Sequence, residues 1–263
     1  VIHETAVIDP GARLGQGVEV GPYAVIGKGV VVGARCRIGP HACLLGPLEL
    51  GDDNVVAFGA ALGHDPQIKG RGGPWGATRI GHRNVFREFS QVNRSMKPDA
   101  FTVVGDDGYF MATSHIGHDC VIGNHVVLCN CALVAGHVEV GDRAFISGGV
   151  VIHQFTRIGE LVMVGGNAAI NRDVPPFCMA VGDRPHALEG LNVVGLRRAG
   201  VTGDALRALK AAFRTLFKGD APLAARLDAV AGGTPEVDRL VAFVRGSRRG
   251  VVGFGAPRAE EDD

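Results

Sequence analysis

A chain of 263 residues that is 46% hydrophobic and 21% charged has the material for a large buried core, which excludes disorder as its dominant state. Lys plus Arg equals Asp plus Glu at 27 each, so no global charge draws the chain to nucleic acid or a membrane surface, and an anionic partner must meet a local patch. The 40 glycines follow no collagen triplet; beside so few aromatic residues they point to many tight corners, the mark of a repeat protein.

The N-terminal stretch VIHETAVIDPGA has no basic leader ahead of an apolar core, and no segment approaches the length of a membrane span, which predicts a cytoplasmic location. From its start an aliphatic residue recurs at every sixth position: Ile2, Ile8, Leu14, Val20, Ile26, Val32, Ile38, Leu44, Leu50, Val56 and Leu62. Glycine often follows it. The register resumes at Ile80, Phe86 and Val92, then runs from Val104 and Phe110 through Ile116, Ile122, Leu128, Val134, Val140, Ile146, Ile152, Ile158 and Val164 to Ile170. Neither helical periodicity nor strand alternation gives that spacing. Six residues accommodate a short strand and a corner, with one side chain turned inward, and such units bury that side chain only by stacking.

Two interruptions, 64–79 and 93–103, are rich enough in Gly, Pro and polar residues to predict loops leaving the coil. Six cysteines (Cys36, Cys43, Cys120, Cys129, Cys131 and Cys178) lack CxxC spacing, and several take small-residue positions of the repeat, so they read as reduced packing residues. The hexads stop after NRDVPPF at 171–177. Beyond them, Leu206, Leu209, Ala212, Phe213 and Leu216 lie at helical spacing, with Thr202 or Asp204 as cap and Gly219 as stop. A second helix is predicted over 221–231. A third opens with Thr234 as N-cap and Pro235 at the first helical position and continues through Val237, Leu240, Val241 and Val244. The expected division is a β domain at 1–184 and a helical domain at 185–263 capping the open end of the stack.

Stretches such as VGPYAV and IGPHAC carry an aliphatic residue, a small residue, two variable positions and another small residue, and on them the chain resembles the hexapeptide-repeat acyltransferases. The resemblance implies a mainly β fold: a left-handed parallel β-helix with three hexads per coil, followed here by a C-terminal α-helical domain. In that geometry residues 18 apart stack. Asp119 then lies under His137, His118 under Gly136, Ala135 under His153, and Gly136 under Gln154, so His118, Asp119, Gly136, His137, His153 and Gln154 share one face over three coils.

Such a column suits acyl transfer. A histidine can take a proton from a hydroxyl, a carboxylate beside it can fix its tautomer, and a glycine amide can stabilise an oxyanion. A hydroxyl attacking a thioester directly needs no protein nucleophile, and Cys120 reads as a packing cysteine. The isolated histidines His3, His41, His64, His82, His125 and His186 read as solvated face residues. Related left-handed β-helices include γ-class carbonic anhydrases with three zinc-binding histidines, but separations of 19 from His118 to His137 and 16 to His153 do not resemble that pattern. A non-catalytic scaffold is the other alternative.

Within the group, the order of GHDPQIKG, Arg87-Glu88, HIGHDCVIGN, AGHVEVGD, IHQF, MVGG, DVPPF and GLNVVGLRRAG resembles the UDP-N-acetylglucosamine O-acyltransferases of lipid A synthesis over essentially the whole chain. The resemblance implies transfer of an (R)-3-hydroxyacyl group from acyl carrier protein to the sugar 3-hydroxyl by a homotrimer, with no metal or organic cofactor. It makes His118 the general base, Asp119 its orienting residue and the Gly136 amide the oxyanion donor. His115, His137, His153 and Gln154 would position substrate, and Asn192, Arg198 and Arg94 would bind it. Gly166, with Met163 beside it, falls at the position that limits acyl chain length. Arg197, Arg198, Arg207 and Arg214 are candidates for docking an acidic carrier protein. Asn93, Arg94, Ser95 and Met96 stand where the family commonly has His-Arg-Gly-Thr, and Val194 where many members have glutamate. These departures leave the column intact and bear on the acceptor, so N-acylation of a 3-amino sugar nucleotide stays open. Activity should fall on acidification as the base is protonated.

Overall fold

One inward aliphatic side chain per hexad dictates the architecture of the computed structural model, which describes residues 1–70, 72–182, 187–230 and 232–253. Each hexad is a strand of two to four residues and a corner, and every third strand pairs in parallel. The first sheet runs in nine strands from Val7–Ile8 to Ala169–Ile170, the second in eight from Arg13–Leu14 to Arg157–Ile158, and the third in ten from Glu19–Val20 to Ala187–Leu191. The result is the expected left-handed parallel β-helix of three sheets with a helical C-terminal region.

Registers such as Ile116↔Val134 and Val134↔Ile152 place residues 18 apart on neighbouring coils. The hexad side chains Ile26, Leu44, Leu62, Val92, Ile116, Val134, Ile152 and Ile170 stack behind the first sheet with no more than 2% exposure, and each contributes about 1.5–3 kcal/mol by leaving water. Phe86 and Phe110 fill the middle of the third column as a stacked pair, ring centroids 4.8 Å apart. Of the cysteines, Cys36, Cys120 and Cys178 are buried among these residues, Cys43 and Cys129 are half-buried, and Cys131 is exposed.

The corners set the positions of the site. One residue per corner recurrently adopts positive φ, and many are not glycine: Asp119, His137 and Phe155 have φ of 60°, 61° and 63°. That conformation costs an L-residue roughly 1–2 kcal/mol. Ladder hydrogen bonds offset it: the His137 N–H donates to the His118 carbonyl at 2.9 Å and the Phe155 N–H to that of Gly136 at 3.2 Å.

The two excursions are shorter than the composition of 64–79 and 93–103 suggests. Strand Ala61–His64 opens the first and Ala77–Ile80 closes it; Gln91–Asn93 and Phe101–Val104 bracket the second. Strand Ala77–Ile80 is paired on both sides, with Leu48–Leu50 and with Phe101–Val104, so sheet hydrogen bonding overrides the local Gly-rich composition. Ile80 pairs with Leu50 30 residues back, and Val104 with Ile80 24 back, so the excursions insert 12 and 6 residues beyond the coil length of 18. Both are multiples of six, and the hexad phase survives.

The tail adds a strand the sequence did not suggest: Ala187–Leu191 pairs antiparallel with Cys178–Val181 and extends the third sheet past residue 185. The expected boundary between 184 and 185 itself lies outside the described residues. Helix α1 (Val193–Arg198) is also unexpected, since Val193, Val194 and Gly195 are poor helix formers; the Asn192 Oδ1 accepts from the Gly195 N–H at 3.0 Å and starts it. Helix α2 (Gly203–Lys218) buries Leu206, Leu209, Ala212, Phe213 and Leu216 as the spacing requires, with Thr202 and Gly219 flanking it. Helix α3 (Leu223–Ala229) is shorter than predicted, and α4 (Pro235–Arg245) begins at Pro235 with Thr234 capping the Val237 N–H. No described helix is long and apolar enough to cross a membrane.

Candidate active site

Stacking by 18 brings His118, Asp119, Gly136 and His137 together at the edge joining the first and second sheets. The His118 Nδ1 lies 2.8 Å from the Asp119 Oδ2, and an ionised carboxylate only accepts, so Nδ1 carries the proton and Nε2 keeps a free lone pair. The space above the imidazole is available because residue 136 is glycine: a Cβ there would sit 2.6 Å from the His118 Nε2. The buried Gly136 N–H donates to no group among the described residues.

Asp119 is 7% exposed at its side chain and heavily donated to. Its Oδ1 accepts from the Ser95 hydroxyl at 2.5 Å, its Oδ2 from the Met96 N–H at 3.1 Å as well as from His118, and its own N–H donates to Thr102 Oγ1 at 2.7 Å. Burial pushes its pKa up, but these hydrogen bonds and the nearby His137 outweigh burial and leave the carboxyl below its ordinary range. The His137 Nε2 is 3.8 Å from Oδ2; its ring meets that of His118 edge-on and stacks on Phe155 with centroids 4.5 Å apart. Burial lowers the pKa of His137 against the pull of Asp119, with His118 and Lys97 adding to the lowering. Burial, then His118, lowers that of His115, which faces outward on the first sheet. Both rings therefore favour the neutral form.

His118, Asp119 and His137 present ligand atoms all within 4.8 Å of one another, a spacing a metal ion could use. The donor set favours a proton dyad instead, because Ser95, Met96 and His118 already direct hydrogens at the carboxylate where a cation would need lone pairs. Cys120 is fully buried, its thiol pKa pushed up to about 12 by burial and its Sγ against the Ala135 carbonyl, which suits packing and not nucleophilic attack.

The other candidates divide. His153 and Gln154 stand exposed one coil above Gly136, and the Arg249 guanidinium reaches the His153 Nδ1 at 3.3 Å. Arg94 is committed within the chain, to the Gly46 carbonyl at 2.6 Å and Asp65 at 2.5 Å, so it ties the first excursion to the coil. Met163 lies on the third sheet, and Asn192 and Arg198 at the two ends of α1 beside it; together they line a cavity of about 560 Å³ with Phe145, Met179 and Val194. Gly166 is at the corner between third and first sheets, exposed. One chain therefore carries the histidine cluster on one edge and the Asn192–Arg198 cavity on another face. Arg197 and Arg198 are exposed at the end of α1 with no ion pair among the described residues, whereas Arg207 pairs with Asp204. Of the histidines read as solvated, His3, His41, His82 and His125 are exposed; His64 is half-buried with its Nε2 unpartnered, and His186 lies outside the described residues.

Sequence reasoning missed Ser95, Thr102 and Phe155. Phe155 was within reach, 18 residues past His137. Ser95 was not, because the second excursion moves it 24 residues from Asp119.

Comparison with known proteins adds independent evidence. Residues 173–252 match the model described as UDP N-acetylglucosamine O-acyltransferase, domain 2, and residues 1–34 the bacterial transferase hexapeptide model. The acyl-[acyl-carrier-protein]–UDP-N-acetylglucosamine O-acyltransferase of Burkholderia lata is 44% identical over 262 residues, covering 95% of this chain and 98% of that one. The structure of LpxA from Acinetobacter baumannii is similar at a TM-score of 0.91 and 33% identity over 95% of this chain and 99% of that one. That of LpxA, a UDP-N-acetylglucosamine acyltransferase from Bacteroides fragilis, reaches 0.93 at 32% identity over 96% and 100%.

Proposed function

Since the chain belongs to the UDP-N-acetylglucosamine O-acyltransferase family and acts at the first step of lipid A biosynthesis, we propose that His118 is the base that delivers the sugar 3-hydroxyl to an (R)-3-hydroxyacyl thioester on acyl carrier protein. The observation that carries this is the His118–Asp119 hydrogen bond of 2.8 Å beneath an uncommitted Gly136 N–H. The free Nε2 takes the hydroxyl proton as the oxygen attacks the thioester carbonyl. The ionised Asp119 stabilises the imidazolium that forms, and the Gly136 N–H faces the oxyanion. Collapse breaks the carbon–sulfur bond, and the imidazolium returns its proton to the leaving thiolate. His137 and His115, held neutral by burial, can offer hydrogen bonds to sugar hydroxyls without adding charge.

The acyl chain has a route along the outer face of the first sheet, where Leu133 and Val151 are 44% and 43% exposed, toward the corner at Gly166. The outer face of the second sheet is instead laced by Arg79–Glu49 and Arg157–Glu139 pairs. Apolar first and third faces beside a charged second one favour a ring in which the third sheet of one copy faces the first sheet of the next. A homotrimer so built would set the Asn192–Arg198 cavity of one subunit opposite His118 of its neighbour and complete a site neither has alone. Exposed Arg197 and Arg198 are available to an acidic carrier protein, and the location is cytoplasmic, where acyl carrier protein is found.

Mass spectrometry of products formed from UDP-N-acetylglucosamine and a series of (R)-3-hydroxyacyl carrier proteins tests the reading, with His118→Ala alongside. A mono-acylated sugar nucleotide that disappears in the variant supports it. Product from the wild type that persists in His118→Ala removes the base assignment, and product only with a 3-amino sugar nucleotide changes the acceptor.

A further inference from the structure

The four residues Asn93, Arg94, Ser95 and Met96 form a clasp whose last two members hold the reacting dyad. Asn93 Nδ2 donates to the Asp65 carbonyl at 2.8 Å, and the Arg94 N–H to that of His64 at 2.8 Å, where the first excursion leaves the coil. The Ser95 N–H donates to the Ala77 carbonyl at 3.1 Å, and its own carbonyl accepts from the Gly76 N–H at 2.9 Å, where that excursion returns. Gly76 permits this approach, since a Cβ there would fall 2.9 Å from that of Ser95. Ser95 is fully buried, so its hydroxyl finds its partners within the protein. It accepts from the Lys97 N–H at 3.0 Å and donates to the Asp119 Oδ1 at 2.5 Å, the length of a charge-assisted O–H···O⁻ bond. The Met96 N–H adds its bond to Oδ2 at 3.1 Å.

We infer that Ser95 is a positioning residue for catalysis: its hydroxyl, with the Met96 amide, holds the Asp119 carboxylate ionised and turned so that Oδ2 faces the His118 Nδ1. This rests on the assignment of His118 as base. The chemistry follows from the geometry. A carboxylate with Oδ1 tied to Ser95 cannot rotate away from the imidazole, and donors that favour its charged form keep it ready to stabilise the imidazolium. The other charged or titratable groups facing the dyad are His137, His115 and Lys97, and none of them replaces a donor to Oδ1.

Ser95→Ala and Ser95→Thr test it by two readouts. In the purified protein, carbon-13 NMR of aspartate carboxyls, with Asp119 assigned by Asp119→Asn, should show the Asp119 titration moved upward in Ser95→Ala and restored in Ser95→Thr. Kinetically, Ser95→Ala should lose roughly ten-fold in kcat, the expected order for one hydrogen bond to a charged group, with little change in KM and with the acidic limb of the pH profile displaced. An unmoved Asp119 titration overturns the inference whether or not the protein turns over. Normal kcat in Ser95→Ala, when the wild type is active and His118→Ala is not, also overturns it while leaving the base assignment standing. A wild type with no activity would remove the base assignment, and the NMR titration would still decide the Ser95 contact.

Discussion

The His118 imidazole occupies the volume that a side chain at residue 136 would need: a Cβ on Gly136 would lie 2.6 Å from both Cε1 and Nε2 of the ring and 3.0 Å from Nδ1. The contact is between a backbone held in its ladder on one coil and a side chain on the coil below, so it is the imidazole that must yield. Gly136→Ala should therefore turn His118 off Asp119 and cost about 10²-fold in kcat, the scale for a displacement near 1 Å. Circular dichroism should be unchanged. Wild-type kcat in this variant would show that the ring moves freely and that the dyad geometry is not needed.

Acid should loosen the same edge. In the folded protein burial lowers the pKa of His115 and His137 from 6.5, so an unfolded chain takes up their protons first as pH falls. Unfolded chains then bind more protons than folded ones, and stability drops as pH falls below 6.5. Asp119 extends the trend: its folded pKa lies below 3.8, so the stability it adds is present above that value and is lost as pH falls through the folded one. Thermal melting between about pH 8 and about pH 5 should show a falling midpoint with a shallower slope in the His115→Gln, His137→Gln double variant. An identical slope would mean that neither ring is held neutral.

The fold was legible because burial in a stack leaves one residue in six no freedom. Ile26, Leu44 and Leu62 must be aliphatic whatever else changes, and even the excursions, inserting 12 and 6 residues, keep that phase. The site was legible only where two partners are one coil apart. His118 with Gly136 and Asp119 with His137 follow from adding 18. Ser95 with Asp119 does not, because their separation depends on how much chain the excursion consumes. Strand Ala77–Ile80 was hidden for a related reason, since its ladder partners, and not its own composition, make it a strand. Helix α1 depends on the single Asn192 cap, which outweighs the poor propensity of Val193-Val194-Gly195.

Phe155 presents a smaller effect of the same kind. It lies flat on His137, 9° from parallel and 52% exposed, and supports a ring that would contact the sugar. Such pairs add about 0.5–1.5 kcal/mol beyond area, so Phe155→Ala should raise KM for the sugar nucleotide several-fold with kcat largely kept. A fall in kcat with KM unchanged would instead place Phe155 against the reacting atoms.

The faces that meet between copies can be tested through charge. Leu133 and Phe145, 44% and 39% exposed, lie on the first and third sheets, where the proposed ring brings neighbouring subunits together. Phe145→Glu should shift the mass seen by light scattering from trimer to monomer and abolish turnover together, because the Asn192–Arg198 cavity would then no longer face His118. Val121→Glu, on the charged second sheet where Val121 is 49% exposed, should leave the assembly intact. A monomer that remains active would mean that one chain holds the whole site.

Chain length is the last quantity the geometry constrains. A Cβ on Gly166 would meet only the Gly148 carbonyl, at 3.5 Å, an ordinary contact, so a side chain can be introduced there without strain. It would project from the exposed corner that ends the first sheet, where the apolar strip past Leu133 and Val151 leads. Each methylene denied burial costs the acyl chain about 0.8 kcal/mol, roughly four-fold in affinity, so Gly166→Met should move the preferred donor to a shorter chain while the summed rate with short donors is retained. Competition between carrier-protein donors of graded length, read by the mass of the product, measures this directly. An unaltered preference would place the end of the groove elsewhere, with Met163 the next position to change, since it borders the same corner from the third sheet.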